Sequence, residues 1–109
     1  MTASTLSEHS VGPLAQIPPG EGRVFECQGR LVAVFHLRSG GVHATQASCP
    51  HRGGPLADGI LAGTTLVCPL HAWKFDLATG EPTTGDSAIT TYPAHLSENG
   101  EVILTVEPG

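Results

Sequence analysis

Two short cysteine–histidine motifs constrain this 109-residue chain more than any other feature. The first places Cys49 and His51 on either side of a proline, and the second places Cys68 and His71 around a Pro-Leu pair, with sixteen residues between the motifs. Thiolates are good ligands for zinc and for iron–sulfur centres, and imidazole binds iron or zinc. The chain is therefore predicted to adopt a fold that brings two distant loops together around a metal site.

The four donors narrow the kind of metal site. Two sulfurs and two nitrogens suit a [2Fe–2S] cluster in which cysteines ligate one iron and histidines ligate the other. We assign Cys49 and Cys68 to the inner iron and His51 and His71 to the outer iron, with one cluster per chain. A structural zinc site would use the same residue types and stands as the alternative.

The residues around the motifs extend the pattern. The segments CPHRGGPLADGIL and CPLHAWKFDLATGEP resemble the Rieske [2Fe–2S] proteins, most of all the small subunit of NAD(P)H-dependent nitrite reductases and related Rieske-type ferredoxins. The specific stretch runs from about Val32 to Thr83. The resemblance implies an antiparallel β-fold with a small cluster-binding subdomain of two ligand loops at one end.

Six further residues are predicted to surround the cluster. In the Rieske proteins of respiratory complexes, the resemblance would place cysteines at the positions of Gly54 and Leu70, and hydroxyl-bearing residues at those of Trp73 and Phe75. Without those hydroxyl donors the reduced state is stabilised less, so we expect a midpoint potential on the order of −150 to 0 mV. The predicted surrounding residues are Arg52, Gly53, Gly54, Leu70, Trp73 and Phe75.

The composition favours strands and turns over helices. The chain has 14 glycines, 9 prolines and only 14% charged residues, which is typical of many short strands joined by tight turns. We predict an all-β sandwich or barrel in which residues 1–10 form a flexible tail and 11–109 a single domain, with ligand loops at about 47–58 and 66–76. The predicted strands are 13–17, 23–28, 31–37, 42–46, 60–61, 65–68, 73–77, 90–96 and 101–106.

The third cysteine and the net charge bear on the cellular location of the protein and on the kind of partner it can bind. Cys27 is predicted to be a small buried hydrophobe, because three cysteines cannot form a disulfide framework for such a domain. This cysteine usage, together with the lack of a recognisable secretory signal, predicts a cytoplasmic protein, and no apolar run approaches membrane-spanning length. The net charge of −5 argues against nucleic acid as a partner. Surface or strand positions without a ligand role are predicted for His9, His36, His43 and His95.

The functional prediction is a one-electron relay in a multicomponent oxidoreductase. The chain has no dinucleotide fingerprint, phosphate-binding glycine loop or Ser-His-Asp set, so we do not expect catalysis by the chain alone. By resemblance, the leading role is the small subunit of an assimilatory NAD(P)H-dependent nitrite reductase, beside a larger reductase subunit in nitrate assimilation. The alternative is the ferredoxin of an aromatic-ring-hydroxylating dioxygenase system, between a flavoprotein donor and a terminal acceptor. A non-catalytic metal-binding module is the alternative of a different class.

Overall fold

The computed structural model describes residues 7–27, 29–48, 55–68, 74–82 and 88–106. Within these ranges the chain forms ten short strands and two single-turn 3₁₀ helices. The strands are β1 (Ser7–Pro13), β2 (Glu21–Cys27), β3 (Arg30–His36), β4 (Val42–Gln46), β5 (Ile60–Ala62), β6 (Thr65–Val67), β7 (Lys74–Asp76), β8 (Thr91–Tyr92), β9 (Ala94–Leu96) and β10 (Glu101–Val106). The 3₁₀ helices are η1 (Leu14–Gln16) and η2 (Leu56–Asp58).

The strands form three antiparallel sheets. The largest has the order β2–β3–β4–β8, the second β1–β10–β9 and the third β5–β6–β7. This arrangement confirms the predicted all-β fold class. The predicted hairpin of strands 23–28 and 31–37 is present as β2 and β3, paired from Glu21 with His36 to Cys27 with Arg30.

The continuously apolar strand β3 lies between two cores. Ala33 and Phe35 pack on one side of it, in a core built with the β5–β6–β7 sheet, and we call this the first core. Val32 and Val34 pack on the other side, in the second core, which is built with β10. Because both faces of β3 are covered, its sequence shows an unbroken apolar run and not an alternating pattern.

Two predictions at the N-terminal end were wrong. Strand β1 begins at Ser7, inside the segment predicted to be a flexible tail, and pairs with β10 from Ser7 opposite Val106 onward. Backbone pairing with β10 orders this polar segment, so side-chain polarity was a poor guide to its structure.

Residues 13–17 also differ from the predicted edge strand. Pro13 ends β1, and the next residues turn as η1, with the Ile17 N–H donating to the Leu14 carbonyl at 2.9 Å. Leu14 and Ile17 are both buried in this arrangement. A 3₁₀ turn places residues three apart on the same side, so both side chains can enter the core.

The strand predicted at 90–96 is divided at Pro93. Strand β8 pairs with β4 in the largest sheet, whereas β9 pairs with β10 in the β1–β10–β9 sheet. Proline has no N–H to donate to a ladder, so one continuous strand through this position is disfavoured. The Pro93 carbonyl still accepts a hydrogen bond from the Thr105 N–H at 3.0 Å. The chain thereby crosses from one sheet to the other.

Candidate metal centre

The second cysteine–histidine motif extends from the end of the β6–β7 hairpin. Leu66 pairs with Phe75, and Val67 pairs with Lys74 immediately before the motif begins. Cys68 follows Val67 as a free cysteine with only 2% of its surface exposed, in the first core with Leu66 and Phe75. The other predicted residues of this loop, His71, Leu70 and Trp73, lie outside the described residues.

The chain segments on the two sides of the first motif are also paired with each other. Ser48 and Pro55 form an antiparallel bridge, and the Leu56 N–H donates to the Ala47 carbonyl at 2.9 Å. The intervening segment 49–54 holds five predicted site residues, all outside the described ranges. These are Cys49, His51, Arg52, Gly53 and Gly54.

The base of the first predicted loop, where Ser48 pairs with Pro55, lies next to the base of the second, where Val67 pairs with Lys74. A Cβ atom built on Gly59 would lie 2.5 Å from the Val67 carbonyl oxygen and 2.8 Å from Leu66 Cδ1. The backbone that leaves the first loop therefore packs directly on the strand that enters the second loop. Leu56 and Cys68, one at each end, belong to the same core. The structure thus brings the ends of the two predicted ligand loops together.

A second close approach attaches this region to the largest sheet. A Cβ atom on Gly22 of β2 would lie 2.7 Å from the Phe35 ring and 3.1 Å from the Ala57 carbonyl oxygen. Helix η2 can therefore lie directly against the β2–β3 hairpin only because position 22 has no side chain. The segment that follows the first predicted ligand loop therefore packs on the β2–β3 hairpin.

The donor chemistry around these ends fits an iron–sulfur cluster. Cys68 presents a thiol that is nearly excluded from water and surrounded by apolar side chains, as expected of an inner-iron ligand. Phe75 is fully buried in the same core and has no hydroxyl to donate. The described ranges by themselves contain no group of three or more metal-binding side chains. Three of the four predicted ligands lie outside those ranges.

The remaining cysteine occupies a different part of the molecule. Cys27 is 5% exposed and packs in the second core, which confirms the prediction of a small buried hydrophobe. Burial raises the pKa of its thiol, because desolvation disfavours the thiolate. Cys27 and Cys68 are thus both buried, but in separate cores.

One histidine has a structural role that the sequence did not reveal. Nδ1 of His36 donates to the Ile17 carbonyl at 2.6 Å, which links β3 to the end of η1. The two residues are 19 positions apart, so no local pattern signals this contact. The other predicted non-ligand histidines are strand residues: His9 in β1, His43 in β4 and His95 in β9.

Comparisons with known proteins agree with this arrangement. The family model of the Rieske [2Fe-2S] domain matches residues 7–93. The ferredoxin component of the naphthalene 1,2-dioxygenase/salicylate 5-hydroxylase systems of Ralstonia sp. is 36% identical over 98 residues, covering 86% of this chain and 90% of that protein. None of the described helices is long and apolar enough to cross a membrane.

Solved structures share the fold along nearly the whole chain. The ferredoxin of carbazole 1,9a-dioxygenase from Nocardioides aromaticivorans superposes with a TM-score of 0.80 at 26% identity, covering 90% of this chain and 96% of that one. A Mycobacterium tuberculosis protein assigned as the small subunit of an NADH-dependent nitrite reductase gives 0.86 at 22% identity, covering 93% and 96%. The family match over residues 7–93 shows that the chain belongs to the Rieske [2Fe–2S] family of electron-transfer domains.

Proposed function

We propose that this protein is a Rieske ferredoxin that passes single electrons from a flavoprotein reductase to the terminal oxygenase of an aromatic-ring-hydroxylating dioxygenase system. The observation that carries the proposal is the 36% identity to a dioxygenase ferredoxin component, which extends over most of both chains. The 2,4-dinitrotoluene dioxygenase ferredoxin component of Burkholderia sp. supports it at 38% identity over 73 residues. The match to the Ralstonia ferredoxin component covers 90% of that small carrier, which favours a separate carrier protein for this chain.

We propose the same four ligands as in the sequence analysis, with Cys49 and Cys68 on the inner iron and His51 and His71 on the outer iron. When bound, the cluster supplies a centre that accepts and releases one electron. Support for the assignment comes from Cys68, which is buried where the ends of the two loops meet.

The protein's own residues have four tasks in this proposal. The first core keeps water away from the Cys68 sulfur, and the paired segments at the base of each loop bring the two loop ends together. Phe75, which has no hydroxyl, leaves the cluster with one donor fewer than a tyrosine would supply, which favours a low potential within the Rieske range. The histidine ligands would provide the route to a docked partner.

The chain is proposed to act only with protein partners. The sequence has no dinucleotide fingerprint with which to take a hydride from NAD(P)H, so a flavoprotein must divide the hydride's two electrons into single transfers. The terminal oxygenase would then receive those electrons one at a time. The cytoplasmic location inferred from the unpaired cysteines stays a prediction.

The small subunit of an assimilatory nitrite reductase is the second candidate. The sequence analysis placed this role first, and the Mycobacterium tuberculosis protein of that description has the same fold, with a TM-score of 0.86. At 22% identity that match supports the fold alone, whereas the dioxygenase ferredoxins match at higher identity. We therefore place the dioxygenase role first.

Metal analysis tests the proposed cluster first, and partner assays then test the proposed role. Anaerobically purified protein should contain two irons and two acid-labile sulfides per chain and give a Rieske-type EPR signal when reduced. A colourless protein with stoichiometric zinc would instead indicate the non-catalytic metal-binding module.

The reduced protein should then support product formation by a purified ring-hydroxylating oxygenase and its flavoprotein reductase, with activity depending on added carrier. A sirohaem nitrite reductase large subunit serves as the parallel assay. Carrier-dependent nitrite reduction, without carrier-dependent hydroxylation, would overturn the order of the two roles.

A further inference from the structure

We propose that Gly59 is a positioning residue for the cluster, because its contact with the peptide carbonyl between Val67 and Cys68 sets the separation of the two ligand loops. This inference rests on the proposed ligand set. It adds a residue that lies outside both motifs and contributes no donor atom.

The contact leaves no room for a side chain at position 59. A Cβ atom there would lie 2.5 Å from the Val67 carbonyl oxygen, closer than carbon and oxygen atoms approach without displacement. The backbone at Gly59 has φ −71° and ψ 170°, which any residue can adopt. Position 59 thus requires glycine for space and not for conformation.

Three successive contacts connect the first loop to the second through this residue. At the base of the first loop, the Leu56 N–H donates to the Ala47 carbonyl at 2.9 Å. The Gly59 N–H then donates to the Leu56 carbonyl, also at 2.9 Å. Finally, Gly59 rests against the Val67 carbonyl. That carbonyl belongs to the peptide unit that supplies the Cys68 nitrogen, so the contacts end at the proposed ligand itself.

The Val67 carbonyl is held so that it cannot easily move away. Strand β6 is the middle strand of its sheet, and Val67 pairs with Ile60 on one side and Lys74 on the other. The preceding residue, Leu66, is fully buried in the first core. A methyl group at position 59 must therefore push the two loop ends apart or displace the Cys68 peptide.

The test compares Gly59→Ala with two matched variants of the full-length protein. Gly41→Ala adds the same methyl group where the nearest atom, Leu37 Cδ1, is 3.6 Å away, an ordinary contact. Val102→Ala removes volume from the second core and lowers stability without touching the ligand-loop ends. Iron and sulfide content, the EPR spectrum of the reduced cluster, the rate of iron loss to a chelator, the Tm and the amide NMR spectrum are measured for each.

We expect Gly59→Ala to keep the dispersed amide NMR spectrum of the sheets, to show shifted or broadened EPR features and to lose iron several-fold faster than the wild type. Gly41→Ala should match the wild type in all five measurements. Val102→Ala should have a lower Tm with an unchanged EPR spectrum. A wild-type EPR spectrum and wild-type iron loss in Gly59→Ala would overturn the inference.

Two other outcomes would also overturn it. If Gly59→Ala loses the dispersed amide spectrum, then Gly59 is needed by the whole fold and has no specific positioning role. If Val102→Ala reproduces the EPR change, then the change reports general destabilisation. A wild-type protein without iron and sulfide would instead refute the proposed function, so the two failures are distinguishable.

Discussion

Val67 and Lys74 face each other across β6 and β7 as the pair that closes the hairpin directly before Cys68. Because the strands are paired up to this point, the cysteine begins its loop from a constrained backbone. On the opposite side, Gly59 packs against the Val67 carbonyl and brings the end of the first loop to the same place. The β5–β6–β7 sheet therefore positions the backbone at Cys68.

The two buried cysteines should respond differently to substitution. Cys68→Ala should lose the cluster, because an inner-iron ligand is removed, and the second loop should lose order, since metal binding is coupled to local folding. Cys27→Ala removes an equally buried thiol in the other core and should keep full iron and sulfide content. Iron and acid-labile sulfide per chain are the measurement. Full iron occupancy in Cys68→Ala would refute the ligand assignment.

The midpoint potential should depend on position 75. We expect the wild-type value on the order of −150 to 0 mV, and Phe75→Tyr should raise it by tens of millivolts by adding a donor that stabilises the reduced cluster. Phe25→Tyr adds the same hydroxyl to a half-buried side chain packed on the second core, and should leave the potential unchanged. Potentiometric titration followed by EPR gives the values. An equal shift in both variants would exclude a specific effect of position 75.

Leu104 in β10 is buried and should contribute more to the free energy of unfolding than Leu31 in β3, which is exposed. Leu104 is fully buried in the second core, so Leu104→Ala should lower the free energy of unfolding by about 2–5 kcal/mol. Leu31 is 61% exposed, so Leu31→Ala should change the same quantity by no more than about 0.5 kcal/mol. Urea unfolding monitored by far-UV circular dichroism compares them. Similar losses in the two variants would contradict the described packing of β10.

Stability should fall in alkaline solution partly because of Cys27. Burial raises the pKa of this thiol in the folded protein, whereas a thiol in the unfolded chain ionises near pH 9.0. Below that pH the Cys27 thiol is protonated in both the folded and the unfolded state, so its full contribution to the free energy of unfolding is present. As the pH rises through 9.0 the unfolded state loses its proton first, so the free energy of unfolding decreases. Cys27→Ala should show a smaller alkaline decrease in urea unfolding between about pH 8 and pH 10. An identical decrease in both proteins would show that Cys27 does not contribute.

Most strands were predicted correctly, because their apolar patterns and the turn residues beside them are visible in the local sequence. Val42–Gln46 is the predicted strand to the residue, and the β2–β3 hairpin lies within two residues of its predicted bounds. Tertiary contacts overrode the local pattern elsewhere. Ser7–Ser10 form a strand by pairing with β10, and residues on the two sides of Pro93 join different sheets. Partner strands far away in the chain determine those choices.

The cysteine–histidine motifs were enough to predict an iron–sulfur cluster, because thiolate and imidazole donors at short spacing are recognisable without any structure. The spacing of the two loops is different, because it depends on atoms that no local pattern connects. In the sequence, Gly59 is one glycine within the segment CPHRGGPLADGIL and has no predicted role, and His36 was predicted as a surface or strand residue. Only the folded chain brings Gly59 within contact of the Val67 carbonyl and His36 within hydrogen-bonding distance of Ile17. Donor identity is a property of single side chains, whereas these separations are set by packing among segments distant in sequence.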